Sequence, residues 1–168
     1  MINKIDMKIT LYSLDKSIKI LIGLYLLVLT IGVSLGLSYI YLTTEMTTSG
    51  MLEQYLGNNN DWSPKLPKTF IDLISHAHNH VVIFSIIFLT LGMIFSFNSI
   101  IKGFWKSFLM FEPFFSIIIT FGGFFALRFI SKNFSYIIIV SSVLMYVCFY
   151  IMIFILLYEL FIKAQKTK

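Results

Sequence analysis

Apolar residues in this chain run in long unbroken blocks, and charges are confined to the gaps between them. A hydrocarbon core about 30 Å thick is crossed by a helix of about 20 residues. Four blocks meet that length, at about 18–42, 76–100, 107–130 and 136–161. Each contains β-branched and aromatic residues that weaken a helix in water. In lipid the backbone must satisfy its own hydrogen bonds, so helix is still expected. Short connections after the second and third blocks force antiparallel neighbours. The fold class is therefore all-α: one integral membrane domain with four transmembrane helices in an up-down-up-down bundle. The segment 43–75 is the one long connection. A loop of that length carries function or structure of its own.

The first block, "ILIGLYLLVLTIGVSLGLSYIYL", is too long for a secretion signal and no small-x-small cleavage site follows, so a retained anchor is expected. Gly32 and Gly36 stand at GxxxG spacing beside Ser34 and Ser38. They predict close helix packing within the bundle ahead of pairing between two copies in a homodimer.

Composition agrees: 58% of residues are hydrophobic and 12% charged, more apolar surface than a soluble domain of this size can cover. The net charge of +5 does not point to nucleic acid, because the basic residues lie at block ends and form no basic face. Lys4, Lys8, Lys16 and Lys19, then Lys102 and Lys106, then Lys163, Lys166 and Lys168 share one side of a four-span topology. The positive-inside rule makes that side, with both termini, cytoplasmic. A bacterial inner membrane is expected, with 43–75 outside. The single cysteine, Cys148, permits no internal disulfide and reads as a buried, inert thiol.

All three histidines, His76, His78 and His80, fall within "DLISHAHNHVVIF". "PKTFIDLISHAHNH" can run as helix into the second span, with Pro67 in its first turn, so the histidines occupy its outer turns. Counting about 22 residues, or about 33 Å, from each cytoplasmic lysine brings Tyr39 and Tyr41, the histidines, Arg128, Ser141 and Ser142 to one outer layer. Polar helix ends account for such a layer too, but clustered histidines coordinate or titrate.

On a helix, Asp72, His76 and His80 share a face and His78 points nearly opposite. The first three make a metal edge, with any further ligand from Glu45, Glu53, Asp61 or a second subunit. Alternatively His78 or His80, with His76 in the same layer, binds haem b axially, with Arg128 near the propionates and Met145, a symmetry-related His or nothing as sixth ligand. A third reading is a pH-sensitive cluster near pH 6.5 facing external acids. Glu112 and Glu159, near the inner interface, read as snorkelling or paired with Lys106 and Lys163. Met93, Met110, Met145 and Met152 do not recur on one face and read as packing. No nucleophile elbow, phosphate loop, dinucleotide fingerprint or zincin motif is present, which argues against an enzyme.

"YLGNNN", "LPKTFIDLISHAHNH", "FLTLGMIF", the Arg128 region and "LLYELF" together resemble a family of small four-span bacterial membrane proteins of unassigned function. That family has a Gly-Asn turn, a Pro-Lys-Ser/Thr-Phe stretch and a His-x-His opening span two. The resemblance maps the His-x-His onto His76 and His78. "SHAHNHVVIFSIIF" is also similar to haem-ligating helices of haem-copper oxidases and nitric oxide reductases. Together these imply an accessory or electron-transfer subunit holding haem b or a transition metal in an outward-facing histidine layer. The alternative is an assembly factor that binds a membrane or periplasmic partner through 43–75, its histidines serving as interfacial polar residues. A transporter fits less well, since no midplane polar site or inverted repeat is visible.

Overall fold

The computed structural model of the chain describes residues 10–58 and 64–163. Five helices carry the architecture: α1 Lys16–Thr44, α2 Thr48–Leu56, α3 Phe70–Ser96, α4 Phe104–Phe129 and α5 Phe134–Leu157. A π-helical turn, Tyr158–Lys163, extends α5, and a 3₁₀ turn, Leu11–Ser13, precedes α1. α1, α3, α4 and α5 with its extension are each long and apolar enough to cross a membrane. The four-span expectation holds, and α3 begins ahead of the histidines as expected, but at Phe70, so Pro67 lies before the helix rather than in its first turn. Thr69 sets that start, its side chain accepting from the Asp72 amide while the Asp72 carboxylate accepts from the Thr69 amide and hydroxyl. Such a reciprocal cap satisfies two helix-end donors. α2 is the structure that the long connection carries. Asn59, Asn60, Asp61, Trp62 and Ser63, with most of the Asn turn cluster, lie outside the described residues, as do Lys4, Lys8, Lys166 and Lys168.

α3, α4 and α5 form most of the core, through Phe88, Leu91 and Phe95, Ile117 and Leu127, and Met145, Phe149, Met152 and Leu156. Cys148 is buried among them, as expected. α1 lies more loosely against this unit, with Leu26 and Val33 as its buried apolar contacts. Two polar links tie it down: Tyr25 to Thr90 of α3 at 2.6 Å and Ser34 to Tyr150 of α5 at 2.8 Å.

The GxxxG expectation fails here. Gly32 and Gly36 are exposed, and a methyl group at either would meet nothing within 4 Å. The glycine that lets α1 pack is Gly23, where an added Cβ would fall 2.5 Å from the Phe161 ring. The π-turn, with its wider i→i+5 winding, is what brings Phe161 to that spot.

The same turn buries Glu159 completely. Its carboxylate accepts from the Ser99 amide at 3.0 and 3.1 Å and from the Ser99 hydroxyl, which in turn accepts from Lys163 at 2.7 Å. Glu159 is therefore buried rather than snorkelling, and the Ser99 hydroxyl links its carboxylate to Lys163. The rest of the α3–α4 connection is fixed by the Asn98 side chain, which caps the amides of Ile100 and Ile101. Lys106 donates to the carbonyls of Ser96 and Asn98.

Glu159→Ala should leave the half-buried Ser99 amide and hydroxyl without their acceptor. It is expected to lower unfolding stability in detergent by about 2 kcal/mol or more, whereas Gly32→Leu and Gly36→Leu should stay within about 0.5 kcal/mol of wild type. Chemical denaturation of the three variants checks both expectations.

Candidate functional site

The candidate residues lie where α2 folds over the ends of α3 and α4. The chain reaches that position through a tight turn after α1, in which Glu45 and Met46 take left-handed conformations, φ 51° and 53°. Such angles cost a non-glycine residue roughly 1 kcal/mol each. Thr47 then caps α2, accepting from the Gly50 amide at 3.0 Å. Only glycine fits at position 50, because a Cβ there would stand 2.0 Å from the Thr44 carbonyl oxygen.

α2 delivers Tyr55 to the bundle. Its ring stacks on Phe124 of α4 at 4.3 Å between centroids, and its edge meets His76 at 6.5 Å. Burial, reinforced by nearby Tyr39, raises the Tyr55 phenol well above its ordinary range, so it stays neutral. The segment after α2 is tied back by main-chain links. The Asn58 amide donates to the Lys65 carbonyl, the Lys65 amide to the Asn58 side chain, and the Lys68 amide to the Tyr55 carbonyl. Glu53 faces Lys65 at 3.9 Å, an exposed pair that adds little. α2 with residues 57–58 and 64–69 thus forms a cap.

Beneath the cap, His76 and His80 stand side by side on α3, rings 4.2 Å apart and tilted by 36°. Phe121 and Phe124 flank His76, and Phe84 and Phe121 flank His80. The His80 Nδ1 lies 2.9 Å from the His76 carbonyl oxygen. Since a carbonyl only accepts, Nδ1 carries a proton in this contact. The ring series continues through Phe84 to Phe88 and Tyr146, and from Phe88 to Phe149. The two histidines are the head of an aromatic column that descends through the bundle.

The other candidates are dispersed. His78 is exposed on the opposite face of α3. Asp72 is committed to the Thr69 cap, and Glu53 to Lys65 and Asn58. Arg128 donates through Nε to the Lys68 carbonyl at 3.0 Å and lies over the Phe129 ring, so it fastens the cap from α4. Met145 is buried in the core, next in sequence to Tyr146, whose ring meets Phe84. Ser141 pairs with Thr120 at 2.7 Å, inside the α4–α5 contact. The expected layer is therefore spread over several helical turns. Among the described residues, no three His, Cys, Asp or Glu side chains come together as a metal-holding set.

The residues that complete the site and were not anticipated are Tyr55, Phe121 and Phe124. The i, i+4 series His76, His80, Phe84, Phe88 is visible in the sequence and places the histidines on a ring-lined face. Nothing comparable announces which rings answer from α2 and α4.

Residues 45–167 match the model of a family described as a transmembrane helical domain. The chain belongs to that family. The match opens at Glu45, the turn residue after α1, and so takes in the cap and the three spans α3 to α5. Neither curated proteins nor solved structures give a match. The cap and the aromatic column both fall inside the matched transmembrane helical domain.

If the aromatic stack holds the cap, Tyr55→Ala should cost about 3 kcal/mol locally. Amide exchange over residues 48–56 would then quicken by about a hundredfold while α4 and α5 stay protected. Hydrogen-exchange mass spectrometry in detergent checks this, and Gly50→Ala should produce the same regional effect.

Proposed function

We propose that this transmembrane helical domain is a non-enzymatic accessory or assembly protein of a bacterial inner membrane. In this reading both termini are cytoplasmic, by the lysine distribution, and the cap faces outward toward a membrane or periplasmic partner. One observation carries it: residues that looked like ligands are spent on holding the cap. His76 is packed under Tyr55, and Arg128 is bonded to the Lys68 carbonyl. On the cap's outer edge Leu66 is 87% exposed between Pro64 and Pro67, with Lys65 and Lys68 beside it. An apolar side chain held in water on a stiff, basic segment suits a protein contact.

A transition-metal edge is the second reading, favoured by the His80 geometry. Nδ1–H is fixed on a carbonyl, the arrangement that orients an imidazole to bind metal through Nε2. With His76 alongside, two ligands are in place, and the remainder would come from a second copy or a partner. Haem b, in the electron-transfer reading, would fall to His78 on the exposed face of α3, because rings enclose the other two histidines.

Two measurements separate these readings. Visible spectra of the detergent-purified protein, oxidised and reduced, are taken with metal analysis on the same sample. The partner reading expects no Soret band and no stoichiometric metal. It also expects a photo-crosslinking residue at position 66 to give one heteromeric adduct in intact cells, lost when Tyr55→Ala releases the cap. A Soret band abolished by His78→Ala, or stoichiometric metal abolished by His80→Ala, would replace it with the corresponding cofactor reading.

A further inference from the structure

Fastening the cap uses only part of Arg128 and Lys68. Arg128 spends its Nε–H on the Lys68 carbonyl at 3.0 Å, and the Lys68 amide donates to the Tyr55 carbonyl. The Lys68 ammonium and the Arg128 Nη groups take part in no ion pair or hydrogen bond among the described residues. Neither belongs to the buried, unpartnered side-chain atoms of the described chain, so both stay open to the surroundings. Asp72 lies within electrostatic range of Lys68, but its carboxylate is already taken up by the Thr69 amide and hydroxyl. Lys132, exposed, follows in the turn after α4. This corner of the bundle keeps a positive surplus.

An apolar strip begins at the same corner. Phe70 meets Phe125 and Phe129 edge-on, at 5.8 and 6.0 Å between centroids, and Arg128 lies over the Phe129 ring. Phe70 and Phe129 are 56 and 55% exposed. On the same face of α4, at i−7 and i−11 from Phe129, come Gly122 and Ile118, both exposed. A Cβ at Gly122 would meet nothing within 4 Å, so the strip is notched there. Along α3, Phe70 stands about 39 Å from Ser96, and along α4 Arg128 stands about 36 Å from Phe104. A hydrocarbon core is about 30 Å thick, and the bilayer with its headgroups about 40–45 Å. Phe70 and Arg128 therefore sit at headgroup level, and Gly122, about 9 Å deeper, lies within the hydrocarbon.

Charge and height together name the occupant. A free anion or an acidic peptide in water would use the cations but not the strip. A zwitterionic lipid brings its own cation to a site that already has a surplus. We infer that the corner between the start of α3 and the end of α4 is a binding site for an anionic phospholipid, its phosphate held by the Arg128 Nη groups and the Lys68 ammonium and one acyl chain lying along Phe129 and Gly122. The guanidinium fork suits phosphate oxygens. Because Lys68 belongs to the cap and Arg128 to α4, the phosphate bridges the two. The site rests on neither the partner reading nor the cofactor readings.

The test uses the full chain, purified in detergent and freed of lipid. It is titrated with dioleoylphosphatidylglycerol and separately with dioleoylphosphatidylcholine, and bound lipid is counted by native mass spectrometry. Wild type should take up its first phosphatidylglycerol about tenfold more tightly than phosphatidylcholine. Lys68→Gln keeps the main-chain links that hold the cap and should weaken that binding about fivefold. Gly122→Leu fills the notch from an exposed position and should weaken it too. Lys102→Gln removes an exposed lysine at the other end of the bundle and should change nothing. Wild type without the preference overturns the assignment, as does binding that neither Lys68→Gln nor Gly122→Leu changes. An equal loss in Lys102→Gln overturns it as well, since that is diffuse attraction to net charge. Displacement of the lipid by free glycerol phosphate would mark a site for a soluble anion. A photo-crosslinking residue at position 130 that captures protein rather than lipid in intact cells would mark a protein surface. Either result replaces the lipid.

Discussion

Water does not reach the interior of four apolar helices in a bilayer, so each polar group placed there has to be answered by another group of the chain. That constraint organises this molecule more than any apolar contact does, since lipid solvates leucine as well as a neighbouring helix does. Its results are specific pairs. Glu159 takes its donors from Ser99, Thr120 meets Ser141, Tyr25 meets Thr90 and Ser34 meets Tyr150. Each link joins two elements and fixes their relative height, which packing among similar apolar side chains would leave loosely specified. Asn98 Nδ2 and Glu112 Oε2 depart from the pattern, each buried without a hydrogen-bond partner among the described residues.

The four spans were legible because length and hydropathy are what a bilayer selects for, and those are properties of a segment read alone. The start of α3 could be read only in part. Pro67 marked a helix beginning before the histidines, yet the start at Phe70 is set by the Thr69 and Asp72 side chains, which the reading of apolar blocks did not weigh. The site was harder for a different reason. Spacing on α3 correctly put His76 and His80 on one face and His78 on the other. It also put Asp72 on the metal face, where the carboxylate instead turns back to cap its own helix. That choice between a local cap and a distant ligand depends on a side-chain rotamer, which periodicity does not encode.

Packing partners were the least legible part. Gly32 and Gly36 have the spacing of a contact motif and touch nothing, while the isolated Gly23 makes the close approach to Phe161. The difference lies in the π-turn at Tyr158–Lys163. By widening the end of α5 it swings Phe161 toward α1 and Glu159 toward Ser99 in one distortion. A sequence scan sees an uninterrupted helical run there. Tyr55 was hidden in the same way, inside a connection whose short helix is polar enough to pass for loop.

The loose seating of α1 follows from these facts. Most of the buried core belongs to α3, α4 and α5, the spans inside the family match. α1 is held by two hydroxyl links, the Gly23–Phe161 contact, and a turn that spends two left-handed residues to aim α2. The strain in that turn is tolerable only because α2 is anchored at its far end by the Tyr55–Phe124 stack and by Lys68, whose amide and carbonyl are both engaged. The cap is therefore the mechanical joint between α1 and the rest of the bundle. His76 and Arg128 are placed where that joint bears on the matched domain. Their position is explained by fastening whether or not a ligand ever reaches them, and any ligand that does must work around a contact the fold already uses.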